Sequence, residues 1–252
     1  MKKVRKDDCR KYILQAGMNT ANRVYPLSIA EGLQAGDIFV NEGTTFDSVL
    51  FWHYCGFGYI SGRPSQEFLS DIYAKMLSEQ KDRRLVLITD DEYTIHFFED
   101  KDVHMDVRVE YSYAPGASVV SSLKSNSFQI EQINEESISK IRGRIIPSFS
   151  WEDSESFLER GFGYIALKDE NVCAVAFSSA ISSEEIDIGV ETLEEYRGNG
   201  LASALAGRMC EHIIGIGKQP VWAHASSNIG SMKTALACGF VERKRNTSIR
   251  KR

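Results

Sequence analysis

The 252-residue chain has no run approaching the ~20 apolar residues that a bilayer-spanning helix needs. No apolar stretch follows Met1-Lys2-Lys3, so no secretory leader is expected. Cysteine is scarce. The five (Cys9, Cys55, Cys173, Cys210, Cys238) are odd in number, scattered and never in C-x-x-C spacing. That suits reduced thiols in a cytoplasm better than a disulfide framework. The five histidines do not join them at metal-ligand spacing, so no metal site is expected. A surplus of basic residues is lacking too: the formal net charge of −5 argues against a nucleic-acid partner. The expected protein is cytoplasmic, with neither a membrane nor a nucleic acid as partner.

What is present is ordinary globular material, 42% hydrophobic and 26% charged. The length admits one large domain or two small ones. The first half reads as helix 7–19, strands 37–40, 48–54 and 58–60, helix 64–81 with Ser65 as N-cap, and strands 85–88, 93–98 and 105–113. The turn Ala114-Pro115-Gly116 and the Ser-rich stretch after it place a domain boundary near Ser125. The domains expected are therefore 1–125, α/β, and 126–252. The second reads as strand 128–133, helices 135–144 and 151–160, strands 162–168, 172–178 and 186–192, helix 199–214, strand 221–225, helix 229–238 and a strand from Phe240. Residues 246–252 look too short and too basic to add another strand. The basic cluster Arg243, Lys244, Arg245, Arg250, Lys251 and Arg252 is either a solvated tail or a contact for the phosphates of the cofactor. Gly-Phe-Gly-Tyr-Ile occurs twice, at 56–60 and 161–165; duplication and coincidence both remain open.

The strongest chemical signal is Arg197-Gly198-Asn199-Gly200-Leu201-Ala202, between a strand and a helix. Two glycines let the backbone turn tightly and approach a ligand. The first turn of a helix adds unpartnered N–H groups and the positive end of the dipole. Together these suit a phosphate or pyrophosphate. No Lys-Ser or Lys-Thr pair follows Gly200, which excludes a Walker loop. Ser203 stands where a dinucleotide fingerprint needs its third glycine. What remains is R-x-x-G-x-A. Downstream, a strand at 221–225 leads to Asn228-Ile229-Gly230-Ser231, a helix, and Gly239-Phe240.

Over residues 128–245, about half the chain, these two segments resemble the GCN5-related N-acetyltransferase (GNAT) superfamily. They match its R/Q-x-x-G-x-G/A loop and its N-x-x-S/A…G-F segment. The resemblance implies an α+β fold with a central, mostly antiparallel twisted sheet flanked by helices. The N-terminal α/β domain could be a degenerate copy of it. The implied activity is transfer of an acetyl group from acetyl-CoA, without a metal, to the amine of a small molecule in a ternary complex. A non-catalytic CoA-binding protein and a protein or peptide N-acetyltransferase are the alternatives, and a homodimer stays open.

By the same resemblance, backbone groups of Arg197, Gly198, Asn199, Gly200, Leu201 and Ala202 hold the pyrophosphate. The side chains of Asn199 and Leu201 are then free to vary. Val190, Glu191 and Thr192 pair with the pantetheine arm as an added strand would. Asn228 and Ser231 complete the cofactor site, although Asn228 could equally be a helix N-cap. For the base, Glu191 lies nearest the loop and is the first choice. Asp187 shares its strand face, and His224 could shuttle a proton. Glu191 could instead be a solvated carboxylate at a strand end, a bulge that the family often has in this strand would change the shared face, and His224 could be a packed residue. The family often places a Tyr general acid seven residues after the motif Asn; here that position is Ala235. Trp52, Trp151 and Trp222 could line an acceptor pocket or simply pack.

Overall fold

The computed structural model describes residues 1–19, 21–41, 48–78, 83–114 and 127–252. The boundary expected near Ser125 lies outside the described residues. In chain order the elements are β1 (Lys2–Lys3), α1 (Ile13–Gly17), α2 (Val24–Ala30), β2 (Gly36–Val40), β3 (Ser48–His53), β4 (Phe57–Gly62), α3 (Gln66–Leu77), β5 (Val86–Thr89), α4 (Glu92–Glu99) and β6 (Val103–Tyr113). Then follow β7 (Gln129–Gln132), α5 (Glu135–Ile138), α6 (Ser154–Arg160), β8 (Gly163–Lys168), β9 (Asn171–Ile181), β10 (Glu185–Thr192), α7 (Leu201–Gly215), β11 (Gln219–Ala225), α8 (Ile229–Ala237) and β12 (Phe240–Lys251). The chain divides into two compact units: Met1–Glu110 with Lys244–Arg252, and Tyr111–Arg243. Among the described residues no helix is long and apolar enough to cross a membrane.

The strands of the first unit run in the order β1-β2-β3-β4-β5-β12, antiparallel except for the parallel pair β4 and β5. Helix α3 forms as its sequence predicts. Ser65 accepts the Phe68 N–H at 3.2 Å, and Phe68, Leu69, Ile72 and Met76 bury one stripe. That stripe packs with Leu50, Trp52, Leu87 and Phe98 in one cluster. The expected strand 93–98 is instead helix α4. Asp91 caps it, accepting from the Thr94 N–H at 2.8 Å and the Thr94 hydroxyl at 2.6 Å. Thr94 and Phe98, four apart, are its buried face, so a short alternation masked a helical period. Helix α2 has no counterpart in the sequence reading. All seven of its residues are buried, so it shows no polar face, and Pro26 sits in its first turn, where a missing N–H costs nothing.

β12 also departs from expectation, because residues 246–252 are not a leftover tail. Residues 246–251 continue one 12-residue strand, and Thr247–Arg250 pair antiparallel with Thr89–Val86 of β5. Ile249 is fully buried, while the charges between find partners: Lys244 on Asp90, Arg250 on Asp106 at 3.2 Å and Arg252 on Asp102 at 3.4 Å.

In the second unit β7, β8, β9 and β10 form an antiparallel run, and β11 joins β10 in parallel. The observed class, a mostly antiparallel sheet with flanking helices, is the one expected. β9 is buried at every residue but Asn171. Trp151 is core, donating its indole N–H to Ser178 O at 2.8 Å; Trp52 is core in the first unit. Helix α7 buries Leu201, Leu205, Met209 and Ile213 at helical spacing. The helix expected over 135–144 is one turn long, held by an Asn134–Ser137 capping box and followed by Gly143 at φ +133°.

Candidate active site

The parallel ladder of β10 and β11 registers three pairs: Glu185 with Gln219, Ile186 with Pro220, and Asp187 with Val221. Beyond Asp187, residues 188–192 are registered to β9, opposite Ser178 to Ala174. The strands part there and leave a cleft of about 610 Å³. One wall is Val190, Glu191 and Thr192. The floor is Arg197, Gly198 and residues 200–203. Trp222, Asn228, Ser231 and Thr234 close the far side. Every cofactor residue expected from sequence lines this cleft except Asn199.

Gly198 and Gly200 sit at φ +81° and +80°, a conformation that side-chain-bearing residues rarely adopt. A Cβ on Gly198 would meet nothing within 4 Å, so backbone conformation rather than packing calls for glycine there. Gly200 is the N-cap of α7 and supplies no side-chain hydrogen bond. The other helices of eight or more residues are closed by a side chain: α3 by Ser65, α4 by Asp91 and α8 by Asn228. Helix α7, at 15 residues the longest described, instead turns an uncapped, positive N-terminus to the cleft. These residues fit a pyrophosphate. Asn199 and Leu201 are less free than expected. The Asn199 amide donates to Tyr196 O at 2.9 Å and pins the turn, and Leu201 is only 1% exposed.

Glu191 faces the cleft with its position fixed from outside the motif. Its Oε2 accepts the Ile145 N–H at 3.1 Å. Gly143 lies so close that a Cβ there would stand 2.7 Å from Glu191 Cγ. Sequence reasoning missed both residues. The usable signal was a glycine inside an expected helix. Asp187 is buried, lies where the ladder is still closed, and does not line the cleft. The irregularity beside it is an extra residue on β9, Ser179. His224 does not line the cleft either. It is 5% exposed and stacks on Tyr111 with centroids 5.2 Å apart. Its Nδ1–H donates to Ala225 O at 2.8 Å, because a carbonyl can only accept. Nε2 lies in hydrogen-bond reach of the Tyr111 hydroxyl at 3.2 Å.

Ala235 is fully buried. Other hydroxyl-bearing residues line the cleft. Tyr196 is one, with its hydroxyl bonded to Cys173 outside the cleft, and its phenol is held above the ordinary range by Cys173 first and by burial second. Thr234 spends its hydroxyl proton on Gly230 O at 3.0 Å, and Ser231 Oγ accepts the Trp222 indole N–H at 3.0 Å. Asn228 Oδ1 accepts the Ser231 N–H at 3.0 Å, so the cap expected as its alternative role is formed. All five cysteines are free thiols, and none is among the described residues of the cleft. Burial pushes the Cys238 thiol up to about 11 and raises Cys210 as well. Among the described residues no group of three or more His, Cys, Asp or Glu could hold a metal ion.

Residues 18–248 match the family model for GNAT acetyltransferases. An uncharacterized N-acetyltransferase, YdfB, of Bacillus subtilis is 24% identical over 221 residues, 84% of each chain. A GCN5-related N-acetyltransferase-like protein from Streptococcus suis superposes with a TM-score of 0.76 at 21% identity, over 98% of this chain and 100% of that one. A tandem GNAT protein from the clavulanic acid biosynthesis pathway gives 0.63 at 12% identity, over 96% and 93%.

Proposed function

The chain belongs to the GNAT acetyltransferase family, and on that premise we propose that it moves the acetyl group of acetyl-CoA to the amine of a small molecule by direct attack in a ternary complex. One observation carries the reading: the longest described helix starts uncapped, behind two left-handed glycines, on a cleft beside a β10 edge that β11 has left. Backbone N–H groups of residues 198–202 would hold the pyrophosphate, and residues 190–192 would pair with the arm as a strand. Acetyl-CoA supplies the activated acyl group and the leaving thiolate.

The protein must orient the amine, remove its proton and steady the charge that develops. Glu191, held by Ile145 and Gly143, is the base. The departing thiolate, of ordinary thiol pKa ~8.5, can leave without a dedicated acid. No cysteine nucleophile lines the cleft among the described residues, which favours direct transfer over an acyl-enzyme. A CoA-binding protein without turnover is the second reading, favoured by the buried Ala235.

Calorimetric titration with acetyl-CoA, against ATP and NAD, tests the site. Selective binding in the micromolar range is expected, and equal or absent binding of all three overturns the assignment. Amine-dependent thiol release then separates turnover from binding alone. In Glu191→Gln that release should fall by about 100-fold or more while acetyl-CoA affinity holds.

A further inference from the structure

Glu191 stands on a stretch of β10 that has a strand on one side only. It lies opposite Val175 of β9, and β11 has already left. A glutamate so placed has three side-chain torsions to fix, and freedom in them blurs the direction of a proton transfer. Residues 142–146 supply the restraint. They form a strap anchored at both ends: Ile141 is 3% exposed, Pro147 is buried, and the Phe149 N–H donates to Ile146 O at 2.8 Å. The Arg142 side chain folds back on the same stretch, donating to Ser139 O at 2.6 Å and to Ile141 O at 3.0 Å.

Between its anchors the strap grips Glu191 twice. Gly143 lies against the stem, where a Cβ would stand 2.7 Å from Cγ and 3.4 Å from Cδ. Its φ of +133° is a second reason for glycine. Two residues on, the Ile145 N–H donates to Oε2 at 3.1 Å. Oε1 has no hydrogen-bond or ion-pair partner among the described residues. The grip occupies one oxygen and leaves the other for a proton.

We propose that Gly143 is a positioning residue for the transfer: with the Ile145 N–H it holds Glu191 so that Oε1 takes the proton of the attacking amine. The inference rests on the reading of Glu191 as the base. Oε1 accepts that proton as nitrogen bonds to the acyl carbon and the bond from that carbon to sulfur breaks, the electron pair staying on sulfur. A double-mutant cycle of Gly143→Ala and Glu191→Ala tests it. Thiol release from acetyl-CoA is followed with propylamine as the amine, acetyl-CoA affinity by calorimetry, and the melting temperature without ligand. Gly143→Ala should lower kcat by about tenfold or more and change acetyl-CoA affinity by less than about twofold. In the Glu191→Ala background, where no Cγ remains to be displaced, it should lower the residual rate by less than about twofold. The melting temperature should fall by at least about 2 °C more in the wild-type background than in that one. Gly217→Ala is the control: its φ is +76° and a Cβ there meets nothing within 4 Å, so kcat should stay within about twofold. Should Gly143→Ala fail to fold by circular dichroism, Ile145→Pro replaces it, deleting the N–H while residue 143 stays, with a fall in kcat of about tenfold or more expected. Additive losses across the cycle, or an unchanged kcat in Gly143→Ala, would overturn the proposal and leave Glu191 as the base. A Glu191→Ala protein with the full rate would remove the reading beneath it. Should the wild type not turn over propylamine, the melting-temperature cycle decides: coupling keeps the grip and additivity discards it.

Discussion

β4, α3, β5 and α4 follow one another in the same order as β10, α7, β11 and α8. In both stretches the parallel pair registers three residues and then parts: Phe57, Gly58 and Tyr59 with Val86, Leu87 and Ile88, and Glu185 to Asp187 with Gln219 to Val221. A gap opens at each parting, about 480 Å³ in the first unit and 610 Å³ in the second. The linings differ. The first connection is Arg63-Pro64-Ser65, with Ser65 closing α3, and Asp90, Asp91 and Glu92 line the gap. The second connection spans residues 193–200 and ends in two left-handed glycines before an open helix. The sheet supplies the parting in both units, and on the proposed reading the connection decides whether a pyrophosphate is welcome there. A carboxylate-lined gap repels one, and an uncapped helix start attracts it.

The sharpest way to break this contrast is to fill the loop. Gly200→Trp places a large side chain where the left-handed turn and the cleft floor coincide. Acetyl-CoA affinity should fall by about 100-fold or more, which is a loss of about 3 kcal/mol. The melting temperature should move by only a few degrees, since Gly200 itself lies in the loop at the cleft, before the buried Leu201. Calorimetry beside a thermal melt checks both. Unchanged affinity would mean that the second loop is as structural as the first.

The second gap was legible in the sequence because its chemistry is local. Gly198, Gly200 and Asn228 carry their meaning in six or seven consecutive residues. The first unit was harder to read. α2 is buried on every side and shows no period, and α4 is too short for its period to outweigh an apparent alternation. The repeated Gly-Phe-Gly-Tyr-Ile does not mark the shared order. It falls in β4 in one unit and β8 in the other, strands with different neighbours. Each middle glycine has its own packing reason: a Cβ on Gly58 would meet Leu85, and one on Gly163 would meet Ala176 O. The order is shared in space while the residues are not, so no self-comparison of the sequence exposes it. Gly143 and Ile145 were missed for a similar reason, because their partner Glu191 lies more than forty residues away.

The two units should also differ toward acid. His53 in β3 is fully buried, with Tyr25 edge-on at 5.1 Å and Nδ1 accepting the Cys55 N–H at 3.2 Å. Burial drives its pKa down to about 3. The folded protein therefore keeps His53 neutral, whereas the unfolded chain takes up a proton near pH 6.5. Its contribution is intact above that value and is lost as pH falls toward 3. At pH 4.5 the loss is about 2–3 kcal/mol. Denaturant titrations at pH 7 and 4.5 should show that difference, and His53→Gln should remove most of it. An equal pH dependence in the variant would clear His53 of the effect.

The smallest effect tests the contrast at its root, the way each helix begins. Ser65→Ala removes the side chain that accepts the Phe68 N–H, a cost of about 1 kcal/mol. For a chain of this length that lowers the melting temperature by about 2–4 °C. Helix α7 has no such side chain to lose, and on the proposed reading a ligand supplies its missing acceptor. Acetyl-CoA should therefore raise the melting temperature of wild type and of Ser65→Ala by the same increment, because it caps the second helix and leaves the first alone. An increment that shrinks or grows in the variant would couple the two helix starts and remove the distinction between a helix closed by its own sequence and one left open for a phosphate.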